Sequence, residues 1–333
     1  MKTAHRAIRP FLTVLIAFAA LALVALRPAE ATPQIRVKEV TFPVTLSDGN
    51  TYSIAGRLYY HRSYRNKTLQ VAIHGASYNH RYWDAPTVDG HPYSYARFMA
   101  LLNYAVLAID QIGSGESSRP AGDFVTLQEA GSGVHQVLDS LRGNDNPLGH
   151  TFDEIVLVGH SLGSITATYV QGAYGDADAL VTTGMGHVPV PSPFPPDLLA
   201  VLLQQPYITL PPEARAALFY NPLLADPDVI ALDNAQLLDE LPRGLATSVL
   251  PFQYDPAVTL VDQVTSPVLV QLGELDPVAP GSTADLEDDA WTSTSDVTVQ
   301  VLPAMGHDFN LHLHNFLSWI PIHGWIAGTL GWP

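Results

Sequence analysis

The pentapeptide Gly159-His160-Ser161-Leu162-Gly163 lies between a short apolar run, Ile155 to Val158, and a segment of helical spacing, Leu162 to Tyr174. A serine in that strand-turn-helix setting is forced out on a sharp turn, and the glycines two positions away on either side remove side chains that would collide with it. Its hydroxyl then stands at a helix N-terminus, where the dipole and the free N–H groups favour a developing negative charge. The chemistry open to such a serine is nucleophilic attack on a carbonyl. For that a base must accept its proton and a carboxylate must orient the base.

His307 is the expected base. Met305-Gly306-His307-Asp308 follows the last apolar run, Val297 to Leu302, and precedes a terminal segment of helical spacing from Leu311 to about Ile326. It therefore falls in a loop from which a side chain can reach across a sheet edge. Of the thirteen histidines, His5 lies in an N-terminal leader, and His312, His314 and His323 fall in the terminal helical segment. Residues two apart on a helix face different directions, which argues against His312 and His314 forming a metal site. The acid is expected after the strand Val268 to Leu272, where Gly273-Glu274-Leu275-Asp276-Pro277 offers two carboxylates. Asp276 is preferred because the proline after it fixes the turn. The strand before that ends Gly184-Met185-Gly186-His187 and supplies no carboxylate.

Ile73-His74-Gly75-Ala76 follows an earlier strand and nominates the backbone N–H of Ala76, together with that of Leu162, as an oxyanion hole. Ser77, Tyr78 and Trp83, in the polar and aromatic stretch that follows, are candidate pocket residues. So are His160 beside the nucleophile and His187 at a strand end. Packing without contact to a ligand is the alternative reading for each.

These groups need a scaffold that brings strand ends together. Val37 to Leu46 and Tyr52 to Tyr60 alternate apolar and polar residues around Ser47-Asp48-Gly49-Asn50, which predicts an antiparallel hairpin. Beyond it, continuous apolar runs at Leu69 to Ile73, Ala105 to Ile109, Ile155 to Val158, Leu180 to Thr183, Val268 to Leu272 and Val297 to Leu302 alternate with helical segments at Tyr93 to Leu102, Leu127 to Leu141 and Leu162 to Tyr174. That rhythm predicts an α/β fold with a mostly parallel sheet covered on both faces. Residues 186–264 break it: the interval is proline-rich and far longer than the roughly 2 to 6 residues that usually join elements of a compact sheet. It is expected to be an inserted cap, dividing a core of residues 32–185 and 265–333, and to stand at the sheet edge where ligands bind. Short helical pieces are expected within it at Glu213 to Phe219 and Val229 to Leu238. Its leucines, with Phe194, Tyr207, Phe219, Tyr220 and Phe252, either line an acyl pocket or form the cap's own core.

The 333 residues carry a formal net charge of −16, are 47% hydrophobic and only 14% charged, and include no cysteine. This is a globular composition, and it excludes disulfides, thiolate nucleophiles and cysteine-ligated metal centres. The acidic excess makes nucleic acid a poor partner. At the N-terminus Lys2, Arg6 and Arg9 precede sixteen almost wholly apolar residues, Phe11 to Leu26, and Ala29-Glu30-Ala31. The pattern predicts a secretory signal over residues 1–31 and no stable membrane anchor after its removal; an uncleaved anchor is the alternative, although the run falls short of the roughly 20 residues that a bilayer span needs.

The His74-Gly75 turn, Asp110-Gln111-Ile112-Gly113-Ser114-Gly115-Glu116-Ser117 after the next strand, the Ser161 elbow, Asp276 and His307 occur in an order that resembles the α/β-hydrolase superfamily, and within it esterase and lipase-like enzymes. The likeness covers nearly all of the sequence after the leader and extends to secreted bacterial hydrolases. It implies a serine hydrolase, in the first instance a carboxylic ester hydrolase acting on a small-molecule ester, with no metal or organic cofactor, and it implies that Asp110 is structural. Relatives that open epoxides or remove halide carry an aspartate at the elbow, and this chain carries Ser161. The same residues would serve lactones, thioesters or amides, and some relatives use them for perhydrolysis or carbon-carbon bond hydrolysis. A catalytically silent binding protein of the same fold is the reading from a different class; such proteins usually lose a triad member.

Overall fold

The apolar runs form one eight-stranded sheet. The computed structural model describes residues 34–144 and 146–333, of which Ile35–Pro333 form one unit. The expected leader, residues 1–31, lies outside the described residues. In chain order the strands are β1 (Ile35–Thr45), β2 (Thr51–His61), β3 (Leu69–Ile73), β4 (Ala105–Ile109), β5 (Ile155–His160), β6 (Ala179–Thr183), β7 (Val268–Gly273) and β8 (Val297–Leu302), arranged β1-β2-β4-β3-β5-β6-β7-β8. β1 pairs antiparallel with β2 around the expected turn, β2 pairs antiparallel with β4, and all further pairs are parallel. Every residue of β3, β4, β5, β6 and β7 is buried, as their unbroken apolar runs require of strands covered on both faces.

Helices α1 (Tyr95–Leu101), α2 (Leu127–Arg142), α3 (Leu162–Tyr174) and α4 (Phe316–Thr329) cover the sheet, α2 packing with α3 and α1 with α4. Thr126 caps α2 by accepting the Glu129 N–H, and Ser94 caps α1 by accepting the Arg97 N–H. The terminal helix starts at Phe316 rather than Leu311, because residues 309–311 form a single tighter turn and His312, buried, is committed to hydrogen bonds at both ring nitrogens. His312 and His314 thus precede the helix in which they were expected.

Between β6 and β7 the chain leaves the sheet for the proline-rich segment. It forms short helices at Pro196–Leu202, Pro212–Phe219, Pro227–Leu232, Arg243–Ser248 and Pro256–Thr259, four of them with proline in the first turn, where its missing N–H costs nothing. The expected single helix over Val229 to Leu238 is instead Pro227–Leu232 followed by one wider turn, Asp233–Leu237.

Candidate active site

Ser161 follows β5 directly and precedes α3, with φ 50° and ψ −120°. That conformation is strained for a residue with a side chain. Two glycines allow it: a Cβ on Gly159 would lie 2.5 Å from the Ser164 Cα, and one on Gly163 would lie 2.1 Å from the Ile73 carbonyl oxygen.

The loop after β8 brings His307 to this elbow. Its Nε2 is 2.8 Å from Ser161 Oγ, and its Nδ1 is 2.9 Å from Asp276 Oδ2, in the turn after β7. The other oxygen of Asp276 accepts the N–H groups of Val278, at 2.7 Å, and Ala279, at 3.1 Å, which orients the carboxylate. Beside a carboxylate the imidazole carries its proton on Nδ1, which leaves the Nε2 lone pair to accept the serine proton. His307 is buried, and burial disfavours its charged form, but the charge and hydrogen bond of Asp276 outweigh this and raise its pKa above 6.5. The rival carboxylate, Glu274, is exposed and accepts the Ala304 N–H at 2.7 Å instead.

Ala76 and Leu162 border the same space as Ser161 and His307. Among the described residues, neither backbone N–H donates to a protein acceptor. Both are thus available to an oxyanion. Around them lies a cavity of about 290 Å³, lined by Ile165 of α3 and by Phe194, Leu202, Ile208, Phe219, Val249 and Phe252 of the inserted segment. The aromatic side chains of that segment therefore divide: Phe194, Phe219 and Phe252 face the cavity, whereas the Tyr207 hydroxyl donates to the Pro120 carbonyl at 2.7 Å and that of Tyr220 to Asp233 at 2.8 Å.

The five candidate pocket residues stand elsewhere, since none of Ser77, Tyr78, Trp83, His160 and His187 lines this cavity. Ser77 has φ 61°, and the aromatic side chains of Tyr78, Tyr82 and Trp83 after it are buried in the core. Trp83 packs edge-on against Tyr82 and Tyr95, with ring centroids 5.2 Å apart in each case. His160 stacks on Tyr82 at 4.6 Å, and burial, reinforced by the nearby His307, holds its pKa well below 6.5, so its ring is neutral. His187 is sealed by Glu287, which accepts its backbone N–H at 2.6 Å and lies 2.9 Å from its Nδ1. Asp110 accepts the His80 N–H at 2.6 Å and the Glu116 N–H at 2.8 Å, the bonds of a residue that holds loops.

Against Phe219 of the cavity wall lies a polar centre around Arg215, a residue that the sequence does not single out. Arg215, wholly buried, donates to the Ser77 carbonyl at 3.3 Å and also to the Ser77 hydroxyl and Asp233. The Tyr78 hydroxyl meets Asp233 at 3.0 Å and also Asp308, the neighbour of His307. Asp239 adds a second tie, its N–H donating to the Ser77 carbonyl at 2.8 Å. The inserted segment is thereby fastened to the loops carrying Ala76 and His307. A lone arginine between alanines in a short helical run was the available signal for Arg215, and it reads equally as a solvated charge.

No curated protein matches the chain. Similar solved structures include a hydrolase from Pseudomonas aeruginosa, 23% identical over 87% of this chain and 98% of that one, with a TM-score of 0.61. A monoacylglycerol lipase from Paleococcus ferrophilus is 17% identical over 88% and 99%, with a TM-score of 0.58. A thermophilic esterase from Thermogutta terrifontis is 17% identical over 87% and 98%, also at 0.58. At these identities the likeness is one of fold. The model of the alpha/beta hydrolase family matches residues 70–317, from β3 into α4 and across every group described above, and the chain belongs to that family.

Proposed function

We propose that the protein is a serine hydrolase that cleaves carboxylic esters with an apolar, short or medium acyl chain. The observation that carries this is the relay Asp276–His307–Ser161, joined by bonds of 2.9 and 2.8 Å and opening on a cavity edged by two free backbone N–H groups. As Ser161 Oγ attacks the ester carbonyl, His307 takes its proton and Asp276 stabilises the imidazolium. The N–H groups of Ala76 and Leu162 hold the oxyanion, and His307 then protonates the departing alcohol. Water, activated by the same imidazole, releases the acid from the acyl-enzyme. A cavity of about 290 Å³ is at the small end of the range of ligand sites, roughly 300 to 1,000 Å³, which favours one modest acyl chain over a large lipid. The lipase and the esterase among the similar structures support the ester class.

In this reading residues 186–264 act as a cap over a core of 32–185 and 265–333, and the protein is exported after cleavage behind Ala31. Among the described residues no helix is long and apolar enough to cross a membrane. N-terminal sequencing of protein recovered outside the cell should begin at Thr32, and an intact Met1 would refute the cut. The activity is tested with p-nitrophenyl esters of increasing acyl length, beside Ser161→Ala. Hydrolysis that disappears in the variant is the expected result. A folded wild type inert across the series overturns the ester reading.

A further inference from the structure

A phenol carries one proton, yet the Tyr78 hydroxyl oxygen is hydrogen-bonded to two carboxyl groups, Asp233 Oδ2 at 3.0 Å and Asp308 Oδ2. It can donate to only one of them. The second contact is a hydrogen bond only when that carboxyl group itself carries a proton. Asp233 has the Arg215 guanidinium and the Tyr220 hydroxyl for partners, which favours its ionised form. Among the described residues no cation is bonded to the Asp308 carboxyl group: His160 Nε2 is 3.4 Å from its other oxygen, and that ring is neutral. The proton therefore sits on Asp308, which donates to Tyr78, which donates to Asp233. Burial, as the largest influence, pushes both aspartates up, against the pull of Arg215 on Asp233 and of His307 on Asp308. The other titratable groups facing Asp308 are Tyr82, Tyr220 and His312, with the charge of Asp276 beyond His307.

Both ends of this chain of bonds adjoin the site. Arg215 bonds the carbonyl and hydroxyl of Ser77, next to Ala76, and Asp308 is next to His307, its N–H donating to the Phe219 carbonyl at 2.9 Å. We propose that Arg215, Asp233, Tyr78 and Asp308 are positioning residues, through which the inserted segment and one proton shared by two buried aspartates set the Ala76 loop and the His307 loop against each other. This rests on the serine hydrolase reading for its effect on turnover. When the proton leaves to solvent, two carboxylates face one phenol oxygen and one bond becomes a repulsion. The neutral carboxyl also spares His307 a second negative neighbour, one that would hold its imidazolium too tightly to release the proton.

The test has two readouts. Infrared spectra of the whole protein at neutral pH should show a protonated-carboxyl band that is missing in Asp308→Asn; a wild type without that band overturns the shared proton. In ester hydrolysis, Tyr78→Phe should lower kcat about tenfold, the equivalent of one lost hydrogen bond, with KM nearly constant. The wild-type kcat/KM should fall on the alkaline side, where the shared proton leaves, and Asp308→Asn should lack that fall. A Tyr78→Phe enzyme changed only in KM, or identical alkaline limbs in wild type and Asp308→Asn, overturns the positioning role. Arg215→Ala strands Asp233 and threatens folding, so Arg215→Met with Asp233→Asn is its companion, expected to fold and to lower kcat as Tyr78→Phe does; wild-type kcat in that folded double variant counts against the proposal. Failure of a fluorophosphonate to label wild-type Ser161 would defeat the serine hydrolase reading, and the infrared band, read without substrate, still decides the shared proton.

Discussion

The sheet side and the inserted side of the cavity meet at Ser161 and are held by different forces. Ser161, Asp276 and His307 stand at the ends of β5, β7 and β8, so their spacing follows from parallel strand pairing and a core in which β5 and β7 are wholly buried. The inserted segment has short helices and leaves Val201, Leu250 and Tyr254 exposed at 61%, 53% and 71%. Beside apolar residues buried in the common core, such as Val229 and Leu245, it is tied by polar groups, through Arg215, Asp233 and Asp239, with outer ion pairs from Arg243 to Asp123 and from Arg119 to Asp239 and Glu240. Apolar burial tolerates small shifts, whereas a buried charge is stable only with its partner in place. The sheet thus fixes the reacting atoms, and directional bonds set the orientation of the wall that faces them.

Removing a reacting group should have the largest effect. Ser161→Ala or His307→Ala should lower kcat for an ester by on the order of 10⁴ to 10⁶-fold, measured by stopped assay, and Ser161→Ala should do so with little change in the melting curve. Arg215→Ala should invert the pattern's weight on stability. It strands Asp233 in the interior and should cost about 3 to 5 kcal/mol in denaturant unfolding, whereas Arg215→Met with Asp233→Asn should recover most of that loss. If the single variant is as stable as wild type, the polar attachment is not what holds the insertion.

The pH profile separates the two sides further. His307 must be neutral to accept a proton, and its pKa lies above 6.5, so kcat/KM should fall about tenfold per pH unit below that value. Because burial raises Asp233 and Asp308 above 3.8, the stability they contribute is complete below 3.8 and is lost as pH rises through their raised values. Melting temperatures of wild type minus Asp308→Asn should therefore decrease between about pH 4 and pH 8. Narrowing the cavity should do least: Leu202→Trp should move the preferred acyl length shorter and reduce kcat/KM for the longer ester by about 10 to 100-fold, leaving the shortest ester nearly untouched.

The sheet side was legible because its signals are local. An unbroken apolar run marks a two-sided strand, Gly159 and Gly163 mark the elbow, and strand order places Asp276 and His307. The insertion was legible only as an interruption. Which of its aromatic residues face the cavity depends on contacts as distant as Tyr207 with Pro120 or Tyr220 with Asp233, which no period encodes. Ser77, Tyr78 and Trp83 illustrate a related reason: a polar-aromatic stretch after a strand reads as a pocket wall, and only the packed structure shows these three buried away from the cavity lining. Arg215 gave only an ambiguous signal and Asp308 none, because a buried polar group is recognisable only by partners brought from distant parts of the chain.

The elbow sets stability and reactivity at odds within one residue. At φ 50° the backbone of Ser161 is strained by roughly 1 to 3 kcal/mol, and a glycine there would relax it. Ser161→Gly should melt at a higher temperature than both wild type and Ser161→Ala while hydrolysing nothing. A library screened for heat resistance alone would then favour inactive chains at this position, so any effort to harden the protein has to select for turnover at the same time.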